Sequence, residues 1–412
     1  MRVRYATLIG VILMAGLTAV VGGQNAAPDW PQWRGPNRDG TLASFTEPKA
    51  WPESLTQRWK IEVGVGYATP IVVGNRVYAF SRQQENEVLR AIDAASGKVI
   101  WETSYPAPFT LNSAAARHGP GPKSTPTYAN GRLFTLGMSG IVTAFDAATG
   151  KQLWQKPAPP VTPIYHTGQS ALVDRGMVIL HVGGHNQGAL TAFDPATGAV
   201  KWSWNGDGPA YGSPVVVEIG GTRQVITMSQ ENVIGVDAAS GELLWRTPFP
   251  VRSTTSAITP LVYGDTVIVS GQGKPLTAYA IARRDGKWTA DLAWENPALQ
   301  LAFSNPVLVG DALFSLSTLN SGQFFWADAK TGKTLWTSTP RQAGNAAIIR
   351  AGDLLFVLKD DAQLMVARST AGGFEPLKTY TVADSATWSA PAISGNRIFV
   401  KDVSTVALWT LN

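Results

Sequence analysis

The chain has 412 residues, a formal net charge of +5, 15 tryptophans and no cysteine. The missing cysteine excludes disulfides, thiol chemistry and lipid attachment at an N-terminal cysteine, so a large core has to hold the fold. Its basic residues are scattered without a run, which argues against nucleic acid as a partner.

At the N-terminus, Arg2 and Arg4 precede an apolar run over residues 6–21 and small residues ending at Gly23. That order predicts a signal peptide over residues 1–23, and the run is shorter than the roughly 20 residues of a spanning helix. The mature protein is therefore expected to be periplasmic or secreted, with no stable membrane anchor. Residues 24–56 show no strand pattern. Between Pro28 and Leu55 lie Trp30, Trp33 and Trp51, whose apolar surfaces are costly to leave in water, so this segment is expected to dock. It should approach from the face of the turns described next and stabilise the fold without touching a ligand.

From residue 57 onward the chain repeats. Asp, two residues, Ser or Thr, Gly, three residues and Trp recur at 93–101, 146–154, 194–202, 237–245 and 328–336. A degenerate copy runs from Asp285 to Trp294, and another, around Gly373, ends on Tyr380. The spacing suits one four-stranded blade per period. Within one period, strands are expected over 127–129, 132–136, 141–146 and through Trp154, separated by turns such as Asn130-Gly131. The turn aspartates read as structural acceptors of backbone amides.

A second register counts the blades. Thr69-Pro70, Thr125-Pro126, Ser170-Ala171, Ser213-Pro214, Thr259-Pro260, Asn305-Pro306, Ala346-Ala347 and Ala390-Pro391 each precede an innermost strand. Outermost aromatics follow at Trp101, Trp154, Trp202, Trp245, Trp294, Trp336 and Tyr380, so the last blade lacks one, and Trp59 supplies it. The expectation is an all-β, eight-bladed propeller over 57–412. Four antiparallel strands form each blade, and an N-terminal strand over 57–63, paired with 405–410, closes the ring.

The signature from Ala144 to Trp154, repeated from Ala192 to Trp202, resembles the tryptophan-docking repeat of pyrroloquinoline-quinone (PQQ) dehydrogenases and their relatives. In that family the Trp stacks between neighbouring blades. The chain also resembles exported quinone-repeat propellers opening on a segment like Trp30 to Gly40, and the related outer-membrane assembly lipoprotein, from which the absent cysteine departs. The resemblance implies a quinoprotein-like fold and either of two functions. One is a binding or scaffolding module whose axial face takes a protein or small-molecule ligand. The alternative is a PQQ-dependent or other periplasmic oxidoreductase. In the dehydrogenases the quinone sits on the axis near a vicinal cysteine pair, with calcium held by Glu, Asn and Asp. None of those residues carries over to a position here, so PQQ with calcium is the less favoured cofactor and no catalytic or metal residue is assigned.

Topology locates the candidate face. Links from an outer strand to the next inner strand, and between a blade's second and third strands, fall on one face; the aspartate turns fall on the other. The link before blade 2 carries Arg117, His118 and Lys123, the link before blade 3 carries Tyr165 and His166, and His185 lies in an inner loop of blade 3. Tyr67, Tyr211 and Trp388 stand at strand entrances. Histidines gathered so could bind metal or exchange protons, although their spacing matches no metal motif; otherwise they are separate loop histidines.

Overall fold

A computed structural model describes residues 29–42, 45–252, 256–370 and 373–411. The expected leader lies outside them, as do Ala371 and Gly372 of the last repeat copy. Eight four-stranded antiparallel sheets form a ring, an eight-bladed β-propeller. From the axis outward, blade 1 is Ile71–Val73, Arg76–Gln83, Asn86–Asp93 and Val99–Pro106. Blade 2 is Thr127–Ala129, Arg132–Leu136, Val142–Asp146 and Gln152–Lys156, close to the repeat reading. Blade 8 takes three strands from the C-terminus and its outermost, Thr56–Glu62, from the N-terminus. Thr56 faces Thr410 and Glu62 faces Thr405, which closes the ring as the surplus aromatic at Trp59 required.

The repeat residues make their own local structure. Asp146 Oδ1 accepts the backbone N–H groups of Ala148 and Thr149 and the hydroxyl of Thr149 at 2.7–3.1 Å. Asp93, Asp194, Asp237 and Asp328 do the same in their turns. These bonds favour the ionised carboxylate, and the Asp194 pKa falls to about 2. The turn glycine is required twice over. Gly150 has φ 74°, and a Cβ there would stand 2.5 Å from the Trp101 ring of the preceding blade. Trp101 then donates its indole N–H to the Ala147 carbonyl, and Trp59, Trp154, Trp202 and Trp294 bond the next blade's turn in the same way.

The entrance dipeptides stitch the inner edge. The amide of Thr69 donates to the Thr125 hydroxyl, that of Thr125 to Ser170, that of Ser170 to Ser213, and that of Thr259 to the Asn305 side chain. Ala390 of blade 8 donates to the Thr69 hydroxyl, closing the circle. Ser, Thr and Asn recur there because each presents an acceptor to the preceding blade, where an apolar side chain would orphan a buried amide.

The N-terminal segment closes one end of the axis. Asp29 accepts the amide of Gly74 in a strand turn of blade 1, and Trp30 exchanges backbone bonds with Val72. Crossing the axis, the chain leaves at blade 7, where Leu42 donates to the Arg350 carbonyl and Arg350 to that of Gly40. Arg38 donates to the carbonyls of Pro214, Ala171 and Ser170, and Arg34 to Pro306, so these two side chains tie blades 3, 4 and 6 together. Both arginines have left-handed backbone, φ 59° and 60°, a strained geometry kept where surrounding contacts over-determine it. Phe45 and Trp51 then pack on Phe356 of blade 7 before the closing strand begins.

Candidate functional site

At the other end the axis opens into a cavity of about 380 Å³. Every blade contributes to it: Tyr67 from the first, Lys123 from the second, Tyr165 from the third, Tyr211 and Ser213 from the fourth. Thr259 and Gln272 come from the fifth, Phe303 and Asn305 from the sixth, Asn345 from the seventh and Trp388 from the eighth. The floor is Trp33 of the plug, whose indole N–H donates to Thr259 Oγ1 at 3.0 Å.

The link before blade 2 builds one wall. Asn112 caps a short 3₁₀ helix, Ser113–His118, by accepting the amide of Ala114, and Gly119, at φ 65°, ends it. The helix delivers His118 edge-on to Trp388, ring centroids 4.5 Å apart, with Phe303 5.8 Å from Trp388. The Arg117 guanidinium lies 5.5 Å from the Trp388 ring and its Nε donates to His118 Nε2. Opposite, the Tyr165 and Tyr211 rings stand 6.1 Å apart, and the Tyr211 hydroxyl accepts the Tyr165 amide. Lys123 donates to the Tyr165 carbonyl at 3.1 Å.

The electrostatics of this mouth are one-sided, because among the described residues no Asp or Glu lines it. Burial lowers the Lys123 pKa to about 8, and burial together with the charges of Arg117 and Lys123 lowers that of His118 to about 4. His118 is thus neutral at pH 7 and acts as a flat polar surface. Tyr67 is pushed up, chiefly by burial and then by Asp402.

Seven of the nine side chains named from sequence line this cavity: Tyr67, Arg117, His118, Lys123, Tyr165, Tyr211 and Trp388. His166 and His185 do not, which corrects the expected histidine gathering. His166 sits in a left-handed turn, φ 66°, with its ring buried against Phe109 and its Nε2 accepting the Asn112 amide. Burial first, then the Lys123 charge, lowers its pKa to about 4. His185 occupies a hairpin tip between second and third strands, further from the axis, and its amide is tied to Thr162. Among the described residues no group of three His, Cys, Asp or Glu is placed to hold a metal. Trp33 is the second correction: it was expected to serve stability alone, yet it floors the cavity. Phe303, Asn305 and Asn345 were not singled out as ligand residues, and the entrance register, which contains Asn305-Pro306 and Ala346-Ala347, was the signal that could have found them; Gln272, in the loop between the second and third strands of blade 5, lies outside that register.

The donor set decides whether calcium with a quinone fits. Calcium takes six to eight oxygens and leans on carboxylates. The oxygens offered here are amides, hydroxyls and phenols beside two cations. The residues present do not fit that pair, and no carboxylate stands at the cavity to act as a base.

Residues 84–338, more than half of the chain, match the family described as outer membrane protein assembly factor BamB. The Burkholderia pseudomallei BamB is 25% identical over 345 residues, spanning 73% of this chain and 86% of that protein. The dehydrogenase subunit of the Acetobacter aceti alcohol dehydrogenase (quinone) is 32% identical over 148 residues, but these span 33% of this chain and only 19% of the subunit. Among solved structures, Moraxella catarrhalis BamB superposes with a TM-score of 0.59 at 16% identity, covering 86% of this chain and 99% of that one. The Comamonas testosteroni quinohemoprotein alcohol dehydrogenase gives 0.63 at 15% identity, covering 94% and 81%. At those identities the superpositions establish the fold alone.

Proposed function

Because the chain belongs to the family of the outer membrane protein assembly factor BamB, we propose that it is a binding propeller whose axial mouth is the working surface. One observation carries this reading: all eight blades converge on a cavity with aromatic walls, two cations and no carboxylate, closed below by the chain's own N-terminal segment. Such a constellation is suited to holding a partner and lacks the acidic side chains that a calcium-bound quinone site uses. The accompanying organisation is a leader over 1–23, a docking segment over 24–56 and one propeller over 57–412, in a periplasmic or secreted protein that meets a protein or small-molecule partner at this face. Tyr67, Arg117, His118, Lys123, Tyr165, Tyr211 and Trp388 are the residues we assign to that contact.

The competing reading is a PQQ-dependent oxidoreductase, and the same purification separates the two. The protein is isolated from a host supplied with the quinone and calcium, then examined by absorption spectroscopy, metal analysis and alcohol-dependent dye reduction. Protein free of quinone and calcium, without dye reduction, is the expected result. Stoichiometric quinone and calcium accompanied by dye reduction would overturn the binding role.

A further inference from the structure

Access to the mouth is a separate matter from what it holds, and the inference about it rests on the mouth being a binding site. Residues 107–119 run along the rim as a strap with both ends clamped. At one end Ala107 donates its amide to the Glu85 carbonyl, and its own carbonyl accepts Arg82 Nη1 at 2.8 Å. At the other, the amides of Tyr67 and Ala68 both bond the Pro122 carbonyl, and a Cβ on Gly121 would stand 2.1 Å from the Val65 oxygen. Between these clamps the chain joins no sheet, and of residues 108–119 Ala115 alone is buried. Gly119 has φ 65° and open space on its Cβ side, which suits a hinge. Segments with so few buried contacts open locally at a small fraction of the cost of unfolding.

Two side-chain contacts hold the strap down, and a histidine serves each. At the first, Phe109 lies between the Arg82 guanidinium, 4.6 Å away, and the His166 ring, 4.7 Å away. There Asn112 donates its amide to His166 Nε2 at 3.4 Å and its side-chain N–H to the Ile164 carbonyl. At the second, His118 meets Trp388 edge-on, and Arg117 Nε donates to His118 Nε2 at 3.0 Å. Both imidazole nitrogens accept, so each needs its lone pair. A proton on either sets N–H against N–H. The charges acting on these rings are Arg117 and Lys123 on His118, and Lys123 on His166; Phe109, Phe303 and Trp388 supply the neighbouring rings, and no carboxylate contributes to hold an imidazolium.

We propose that residues 107–119 are a proton-operated gate over the axial mouth, latched while His118 and His166 are neutral and released when they take up protons. Burial is the larger cause of the lowered pKa of both, about 4, and lifting the strap returns both rings to water, toward the ordinary 6.5. The open form therefore binds more protons between those values. The latch is fully favoured above pH 6.5, and the open fraction grows as pH falls from 6.5 toward 4, by up to about tenfold per pH unit for each histidine.

The test is hydrogen–deuterium exchange of the full chain at pH 7 and pH 5, with rates corrected for the intrinsic effect of pH. Protection over residues 107–119 should fall at least about tenfold at pH 5, while strand Arg132–Leu136 keeps its own. In the double variant His118→Gln/His166→Gln, where a side-chain oxygen replaces each lone pair without titrating, the strap should be equally protected at both values. If the double variant is unprotected at both, His166→Gln alone decides: a weaker pH response than wild type supports the gate, and an unchanged one overturns it. Equal strap protection at both values in the wild type would overturn the proposal. So would a pH response that survives in the double variant, or a parallel loss in Arg132–Leu136, which would mean unfolding of the ring. No ligand enters the measurement, so each of these failures removes the gate and leaves the reading of the mouth standing.

Discussion

The two ends of one axis use the same chemistry to opposite ends. At the plug, Arg34 and Arg38 are buried and neither forms an ion pair among the described residues; burial lowers their pKa values to about 10, offset in part by Asp39, and to about 9. Their N–H groups are aimed at carbonyls of three blades and of the plug itself. At the mouth, Arg117 and Lys123 are also without acids, but their donors are not used up by the protein. A cation whose donors are spent on the fold is a fastener. One left with donors free is poised for something outside the chain.

The comparison breaks most visibly if the plug and closing strand are removed together. A chain starting at Val63 loses the partner of strand Thr405–Thr410 and the Arg38 bonds at once, so soluble monomer should disappear on size-exclusion chromatography in favour of aggregate. Next in size is the split between two tryptophans three positions apart. Trp30 is wholly buried, and Trp30→Ala should cost about 3–5 kcal/mol in urea unfolding with ligand affinity little changed. Trp33→Ala should weaken ligand binding more than it lowers stability, since its ring is shared with the cavity. The reverse pattern would exchange the roles given to the two ends.

Two cations provide a finer contrast. Arg38→Met removes the donors of the Ser170 and Pro214 carbonyls, each unmet buried acceptor costing about 1–3 kcal/mol, so a loss of roughly 3 kcal/mol is expected. Lys123→Met strands one carbonyl beside an open mouth and relieves a desolvated charge, so unfolding should move by less than about 1 kcal/mol in either direction. The smallest effect is a pH slope. The folded Lys123 pKa of about 8 lies below its ordinary value of 10.5, so its protonated form opposes folding; that penalty is complete below pH 8 and is relieved between 8 and 10.5. The groups facing Lys123 across the mouth are Arg117, His118 and the phenols of Tyr67, Tyr165 and Tyr211. Lys401, also lowered to about 8 by burial, gives a parallel stability slope, so the difference between wild type and Lys123→Met is the quantity to measure.

What could be read from sequence follows the range of the interactions. Aspartate turns, their glycines and the outer tryptophans are set by residues a few positions apart and repeat, so blade number, strand bounds and closure were legible. Seven mouth residues were legible because topology alone assigns links to a face. The plug arginines were not, since their partners stand 132 to 272 residues away and their segment has no period to read. His166 misled for a related reason: a left-handed turn reverses the side chain's direction, and no neighbouring residue announces it. Trp33 was recognised as a residue that must be covered, but what covers it is the far side of the ring at Thr259.

Thr56 and Thr410 are 354 residues apart and lie opposite each other in one sheet. A chain made from its N-terminus therefore exposes its first strand, and the arginine-bearing segment before it, long before their partners exist. Contacts of such separation slow folding and leave unpaired edges open to other chains in the meantime. The blades, built from neighbours in sequence, can form as they emerge, whereas the ring locks only when its final strand arrives. This makes the last few residues a checkpoint for the whole molecule: a chain interrupted before Thr405 would hold seven complete blades and still be an open, adhesive ribbon.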